Sequence, residues 1–335
     1  MDALNRNSSF QHSPSAPPEP GERPILFVVV GPTAIGKTSL AIGLAKWLGC
    51  EILNADSRQV YRNMQIGTAQ PTASERAEVP HHFVDFLDAD TLYSAGQFEK
   101  DALLWLEDWF TKHRTAVMVG GSGLYIKAVL EGLDDIPASV EIRTRLQQQL
   151  KESGIHPLLE ELERLDPRHF AKMDQANTQR VIRALEVCLA SGKPFSSFHS
   201  NQNAERPFDV RIIGMEMNRE WLIDRIDSRV EQMIQDGFED EARSFHGRAH
   251  LNSLQTVGYR EWFDYFDGKL TREQAIQAIQ VHTRQFAKRQ MTWFKRMEGI
   301  NWFDANDRMI AFNWVMKCCA ERGWSPEPLD GTELI

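Results

Sequence analysis

Residues 31–38 read Gly31-Pro32-Thr33-Ala34-Ile35-Gly36-Lys37-Thr38, a complete G-x-x-x-x-G-K-T spacing. Between a strand and a helix, such a loop gathers backbone N–H groups into a concave nest at the positive end of the helix dipole, where phosphate oxygens bind. Lys37 is placed to neutralise the outer phosphates, and Thr38 to offer its hydroxyl to Mg²⁺. The motif specifies a polyphosphate without saying which, so an ATPase or a small-molecule kinase is the default chemistry. Such an enzyme usually carries a metal-binding aspartate at the end of a second strand. Here Val117-Met118-Val119 runs into Gly120-Gly121-Ser122-Gly123 with no acid.

The acid stands instead in Asn54-Ala55-Asp56-Ser57-Arg58-Gln59. Asp56 there can be a Mg²⁺ ligand, a general base or an N-cap for the next segment. The Gly120–Gly123 stretch is either a tight strand-to-helix turn or a turn that sets Ser122 beside Asp56. Ligands of open α/β sheets bind at that edge. A third group lies between Thr283 and Arg296, where five cations (Arg284, Lys288, Arg289, Lys295, Arg296) occur with no acid. At helical spacing Arg284, Lys288 and Lys295 share a face, with Arg289 and Arg296 adjacent and Phe286, Trp293 and Phe294 opposite. This is a phosphate-backbone contact or a solvated surface helix. Gln179-Arg180 with Arg183 forms a second basic cluster.

The elements that must position these groups follow from pattern. Ile25–Val30 is short, β-branched and bounded by Pro24 and Gly31, as a buried parallel strand requires. A helix from about Lys37 to Leu48 follows, with further strands expected at Glu51–Ala55, Phe83–Phe86 and Thr115–Val119. Ser94 with Gln97 three residues on is a capping-box signal for a helix running to about Thr111. The alternation predicts an α/β fold with a P-loop NTPase-like parallel sheet flanked by helices. From Pro137 to about Ser200 strand signals stop, which predicts an all-helical insertion. Its clearest helix starts at the N-cap Asn177, buries Val181, Leu185 and Cys188, and ends at Gly192. A strand at Val210–Gly214, helices at Arg219–Gln235 and Arg272–Met297, and a strand-like Asn301–Phe303 complete a core of residues 24–136 and 201–310. Residues 1–23 read as a disordered tail rich in Pro and Ser, and residues 311–335 as a C-terminal helix and tail.

The chain has 335 residues, 42% of them hydrophobic, enough for a sizeable core and against a mini-protein or a disordered chain. The net charge of −9 argues against binding nucleic acid or anionic lipid by bulk charge, so any such contact needs a local basic patch. The longest aliphatic and aromatic run, Ile25–Val30, is far short of the ~20 residues that span a bilayer. Cys50, Cys188, Cys318 and Cys319 show no metal spacing, which predicts a reduced, cytoplasmic chain without a structural metal.

Together the motifs resemble the tRNA dimethylallyltransferases (isopentenyl-tRNA transferases). The matching segments, in that family's order, are G-P-T-A-I-G-K-T, N-A-D-S-R-Q-V-Y, M-Q-I-G-T-A-Q-P-T, Y-S-A-G-Q-F, V-G-G-S-G-L-Y, Q-R-V-I-R-A-L-E-V, T-V-G-Y-R-E and K-R-Q-M-T-W-F-K-R. The resemblance implies Mg²⁺-dependent transfer of a dimethylallyl group from dimethylallyl diphosphate to N6 of the adenosine 3′ to the anticodon, position 37 of tRNA. It implies that the P-loop, known otherwise as an ATP-binding nucleotide loop, holds the prenyl diphosphate instead. Asp56 and Ser122 would be catalytic, Arg229 would bind diphosphate, and the flipped adenine would meet the donor inside a channel.

The implied contacts to the tRNA anticodon stem-loop are Asp56, Ser57, Arg58 and Gln59 with Ser122. Arg143 and the run Gln179, Arg180, Val181, Ile182 and Arg183 belong to the insertion. The remainder are Gln255, Thr256, Val257, Gly258, Tyr259 and Arg260, then Lys288, Arg289, Gln290 and Lys295. Ser122 stands where the family usually has threonine, which keeps the hydroxyl but frees its rotamer. Ile35 stands where Ser or Val is common. Cys318-Cys319 cannot replace the zinc finger of eukaryotic relatives, so the bacterial type fits, and a monomer is expected.

Overall fold

The computed structural model describes residues 17–19, 21–134, 136–198 and 204–324. The chain divides into two compact units, one formed by the segments up to Leu130 and from Arg206 onward, the other by Glu131–Glu205. In chain order the elements are β1 (Ile25–Val30), α1 (Lys37–Leu48), β2 (Ile52–Asn54), α2 (Gln65–Thr68), α3 (Ala73–Glu78), β3 (His81–His82), α4 (Ala95–Trp109), β4 (Thr115–Gly120) and α5 (Gly123–Glu131). The second unit contributes α6 (Val140–Ser153), α7 (His156–Leu165), α8 (Pro167–Phe170) and α9 (Thr178–Ser191). The first unit resumes with β5 (Asp209–Glu216), α10 (Arg219–Gln235), α11 (Phe238–Ser244), α12 (Tyr259–Phe266), α13 (Arg272–Phe294), β6 (Ile300–Asp304) and α14 (Arg308–Ala320).

The strands form one six-stranded sheet in the order β3-β2-β4-β1-β5-β6, and every pairing is parallel. All six residues of β1 are buried because helices cover both faces. Phe27 and Val29 face the layer of α1 and α14, which supplies Leu40, Leu44, Phe312 and Val315. Leu26, Val28 and Val30 face the layer of α4 and α5, which supplies Phe98, Leu106, Ile126 and Val129. Each fully buried side chain of this size is worth about 1.5–3 kcal/mol, so β1 anchors both layers. A third apolar cluster joins Val60, Tyr61 and Met64 to α11, α12 and α13 through Phe238, Tyr259 and Trp262.

One expected strand is displaced. Phe83–Phe86 alternates like a strand, yet the edge strand is His81–His82, and Phe83 and Asp85 adopt left-handed φ values of 62° and 56°. The backbone N–H groups of Asp85 and Phe86 donate to the carbonyls of Gln59 and Val60 at 2.9 and 3.0 Å, so this segment pairs with the loop after β2, outside the sheet. At α4, the Ser94 hydroxyl accepts from Gln97 N at 3.1 Å, but the Gln97 side chain turns to Asp101. Only one half of the capping box forms there.

The second unit is a helical cluster of its own. Leu146, Leu158, Leu162, Val181, Ile182 and Leu185 make its core. Asn177 caps α9 by accepting from Arg180 N at 3.2 Å, and Gly192 ends it in a left-handed conformation. Two carboxylates lock the unit. Asp166 accepts from His169 N and from Ser196, and Glu186, 0% exposed, accepts from Ser139 N, Arg143 and Arg183.

Residues 1–16 and 20 of the expected tail lie outside the described residues, as do 325–335. Next to them, Arg23 pairs with Asp209 at 2.9 Å and Pro17 O accepts from Arg114 at 3.1 Å. Among the described residues no helix is long and apolar enough to cross a membrane, and all four cysteines are free and buried.

Candidate active site

The P-loop leaves β1 and enters α1 through Gly36, whose φ of 96° an L side chain tolerates poorly. This conformation starts α1 without a side-chain cap and leaves its first N–H groups for an anion. Lys37 is half-buried at the base of the loop, with its Nζ donating to the Pro32 carbonyl at 2.7 Å. Burial, followed by the nearby charge of Arg229, pushes its pKa down to about 7 against the opposing pull of Asp56. Arg229, from α10, donates to the Thr33 hydroxyl at 3.0 Å. Two further guanidiniums sit on the outer side of the loop. Arg225 donates to the Ile35 carbonyl at 3.3 Å, and Arg308 to Ser39 Oγ at 2.5 Å.

The ends of β2 and β4 form the second wall. Asp56 Oδ1 accepts from Arg58 N at 2.9 Å, which fixes its carboxylate in a turn two residues wide. Ser122 Oγ accepts from Ser57 N at 2.9 Å and lies 3.2 Å from Ser57 Oγ, so the turn after β4 grips the turn after β2. Gln290, 6% exposed on α13, ties this wall to the P-loop. Its Oε1 accepts from Thr33 N at 2.8 Å, and its Nε2 donates to the Gly121 carbonyl at 3.0 Å. A Cβ on Gly123 would lie 2.2 Å from the Trp293 ring, so glycine there lets α13 close on the turn.

These walls enclose a cleft of about 900 Å³. The phosphate end holds Lys37, Thr38 and Arg229; Asp56 and Ser122 stand at the sheet edge; the rest is lined by Gln255–Gly258, Arg260, Arg289 and the rings of Phe286 and Trp293. An apolar strip of Ile226, Val230, Met233 and Ile279 runs along α10 and α13. This strip is not legible in the sequence, because the same spacing serves any core-facing helix.

The structure sorts the expected contacts. Ser57, Arg58, Gln59, Gln255, Thr256, Val257, Gly258, Arg260 and Arg289 line the cleft. The Gln59 side-chain amide donates inward to the carbonyls of Thr68 and Ala69, and Arg58 donates to the Asn252 carbonyl. Tyr259 is 0% exposed and donates to Glu241 at 2.6 Å, so its side chain presents nothing to a partner. Gln290 likewise serves the interior. Lys288 is exposed beside the cleft lining, while Lys295 pairs with Glu216 at 2.6 Å.

Phe286 and Trp293 lie across α13 from Arg284 and Lys288, as helical spacing predicts; both are 38% exposed and line the cleft, whereas Phe294 is fully buried. In the second unit, Gln179 and Arg180 are exposed, whereas Val181 and Ile182 are buried in its core. Arg143 and Arg183 share the buried Glu186.

The donor set also bears on Mg²⁺. No cluster of three or more His, Cys, Asp or Glu able to hold a metal occurs among the described residues. The Thr38 hydroxyl and the Asp56 carboxylate line the cleft together, and Mg²⁺ typically takes one or two protein oxygens, with phosphate oxygens and water completing its shell. The residues therefore fit a cation that arrives with a diphosphate.

A phosphate-binding loop on β1 of a parallel sheet, with an acid after β2 on the far side of β4, defines a P-loop α/β enzyme. Within that class the chain belongs to the IPP transferase family, whose model matches residues 59–297. It is 50% identical over 293 residues to the tRNA dimethylallyltransferase of Christiangramia forsetii, covering 87% of this chain and 97% of that one. It is 47% identical over 279 residues to tRNA dimethylallyltransferase 1 of Porphyromonas gingivalis, covering 83% and 93%. The crystal structure of the full-length tRNA isopentenylpyrophosphate transferase of Bacillus halodurans aligns with a TM-score of 0.66 at 36% identity, over 90% of this chain and 98% of that one. A eukaryotic dimethylallyltransferase acting on tRNA shares the fold with a TM-score of 0.74 at 24% identity, over 91% and 81%.

Proposed function

We propose that this enzyme transfers the dimethylallyl group of dimethylallyl diphosphate to N6 of adenosine 37 in tRNA. The observation that carries this reading is that one cleft brings together two sets of groups: Lys37, Thr38 and Arg229 at the anion nest, and Arg260, Arg289 and the rings of Phe286 and Trp293. A diphosphate ester suits the first set, and a flipped base with its flanking phosphates suits the second.

The prenyl carbon bonded to the diphosphate oxygen is attacked by the adenine N6. The C–O bond breaks, diphosphate leaves with the electron pair, and the surplus N6 proton passes to Asp56. An aromatic amine is a weak nucleophile, so a positioned base has a clear purpose. The loop N–H groups, Lys37 and Arg229 stabilise charge that grows on the leaving group in the transition state. Thr38 would hold Mg²⁺, which neutralises the diphosphate. Ser122 fixes the turn that carries Asp56 by accepting from Ser57 N. Ile226, Val230, Met233 and Ile279 offer an apolar bed for the prenyl chain. Ser57, Arg58, Gln59, Gln255, Thr256, Val257, Gly258, Arg260, Lys288 and Arg289 form the tRNA-facing rim, and Gln179, Arg180, Arg183 and Arg143 are the tRNA contacts of the helical unit.

The working unit in this reading is a monomer, acting in the cytoplasm where tRNA is found. The test is label transfer from radioactive dimethylallyl diphosphate to an unmodified anticodon stem-loop, with Mg²⁺ and without ATP. Label on the adenine 3′ to the anticodon is the expected result. Absence of label together with tRNA-stimulated ATP hydrolysis would overturn the reading.

A further inference from the structure

Asn54 closes β2. Ile52 belongs to the apolar layer under α1, whereas Leu53 and Ala55 belong to the opposite layer. Strand alternation therefore puts Asn54 on the α1 side, two residues ahead of Asp56. Its strand neighbour is Val119, at the end of β4 where the chain carries no acid. Asn54 is only 3% exposed, and its Nδ2 is shut from solvent with no hydrogen-bond partner among the described residues. The same is true of single atoms in Gln70, His81, His113, Thr115 and Trp262, but none of those residues lines the cleft. Asn54 does, beside Lys37, Thr38 and Asp56.

A buried amide with no partner weakens the folded chain, so its place at the phosphate end calls for a bound group that satisfies it. The prenyl chain cannot do so. We propose that Asn54 is a binding residue for the hydrated Mg²⁺–diphosphate pair, its carboxamide bonding a water of the cation's shell and an oxygen of the diphosphate. An uncharged amide offers both a donor and an acceptor, which matches water and phosphate side by side without adding charge. The inference rests on the prenyl-diphosphate reading of the cleft.

The test is calorimetric titration of Mg²⁺ and inorganic diphosphate into the full chain and into Asn54→Leu and Asn54→Ala. Both variants should bind diphosphate roughly tenfold more weakly, the order expected for a hydrogen bond to a charged group. Their Tm without ligand should be unchanged or higher, because the orphaned donor is gone, and their affinity for the anticodon stem-loop should be unchanged. Equal diphosphate affinity in wild type and both variants would overturn the role of Asn54 and leave the donor site standing. A wild type that takes no diphosphate would overturn both.

Discussion

The P-loop cleft and the helical unit of residues 131–205 both bury polar and charged side chains, and they treat them in opposite ways. In the helical unit Glu186 is saturated by Ser139 N, Arg143 and Arg183, and Asp166 by His169 N and Ser196. Burial alone would raise both pKa values, but these hydrogen bonds and charges outweigh it and hold both below the ordinary carboxylate range. In the cleft, Lys37 donates its ammonium to one carbonyl and Asn54 Nδ2 has no partner among the described residues, while behind the loop Arg225 and Arg308 donate to neutral oxygens. A self-satisfied polar group builds a unit. Polar groups held short of partners mark where a ligand supplies the missing charge or hydrogen bond.

The comparison is most directly broken at Asp56. Asp56→Asn should lower kcat by about 10²–10⁴ while leaving tRNA affinity nearly intact, since it removes a proton acceptor more than a contact. Single-turnover rates set beside stem-loop binding check this, and a lost affinity with normal turnover of bound tRNA would reverse the assignment. Glu186→Ala should do the opposite. It strands two guanidiniums and should cost about 2 kcal/mol of stability, less than the ~3–5 kcal/mol for fully buried pairs because both arginines keep partial access to water. Chemical unfolding measures that cost. Turnover of prebound tRNA should change little.

Lys37 sharpens the contrast through pH. Its folded-state pKa of about 7 lies below the 10.5 of an ordinary lysine, so between those values the unfolded chain binds more protons and this group makes stability rise with pH. Bound diphosphate favours the ammonium, so binding above pH 7 should take up a proton at Lys37. Calorimetry in buffers of different ionisation enthalpy should show more proton uptake in wild type than in Lys37→Met. Glu186 has the same sign in a more acidic range: its lowered pKa contributes stability above the unfolded carboxylate range that is lost as pH falls through the folded value.

The smallest expected effects lie at the rim. Lys288→Ala should weaken stem-loop binding a few-fold and reduce the salt slope by about one, as loss of one phosphate contact does. Gln290→Ala should instead raise the KM for the prenyl donor, because Gln290 braces the P-loop against the Gly121 turn from inside. A Gln290→Ala enzyme with normal donor KM and weakened tRNA binding would return that residue to the rim.

The sequence by itself determined what depends on neighbours along the chain. Ile25–Val30 and the Gly36-Lys37-Thr38 turn were legible because a buried strand, a left-handed glycine and a helix start are local conformational choices. So were the caps at Ser94, Asn177 and Gly192, and Asp56 at a strand end. Tertiary structure alone decided which side of each element meets which partner. It moved the edge strand from Phe83–Phe86 to His81–His82 by pairing the first segment with Gln59 and Val60. It turned Phe286 and Trp293 into the cleft, buried Tyr259 and Ile182, and set Gln290 between the P-loop and the Gly121 turn. It also left Asn54 buried and unpartnered beside Asp56. Each of these outcomes depends on elements distant in the chain packing together, and local periodicity carries no record of what lies across the contact.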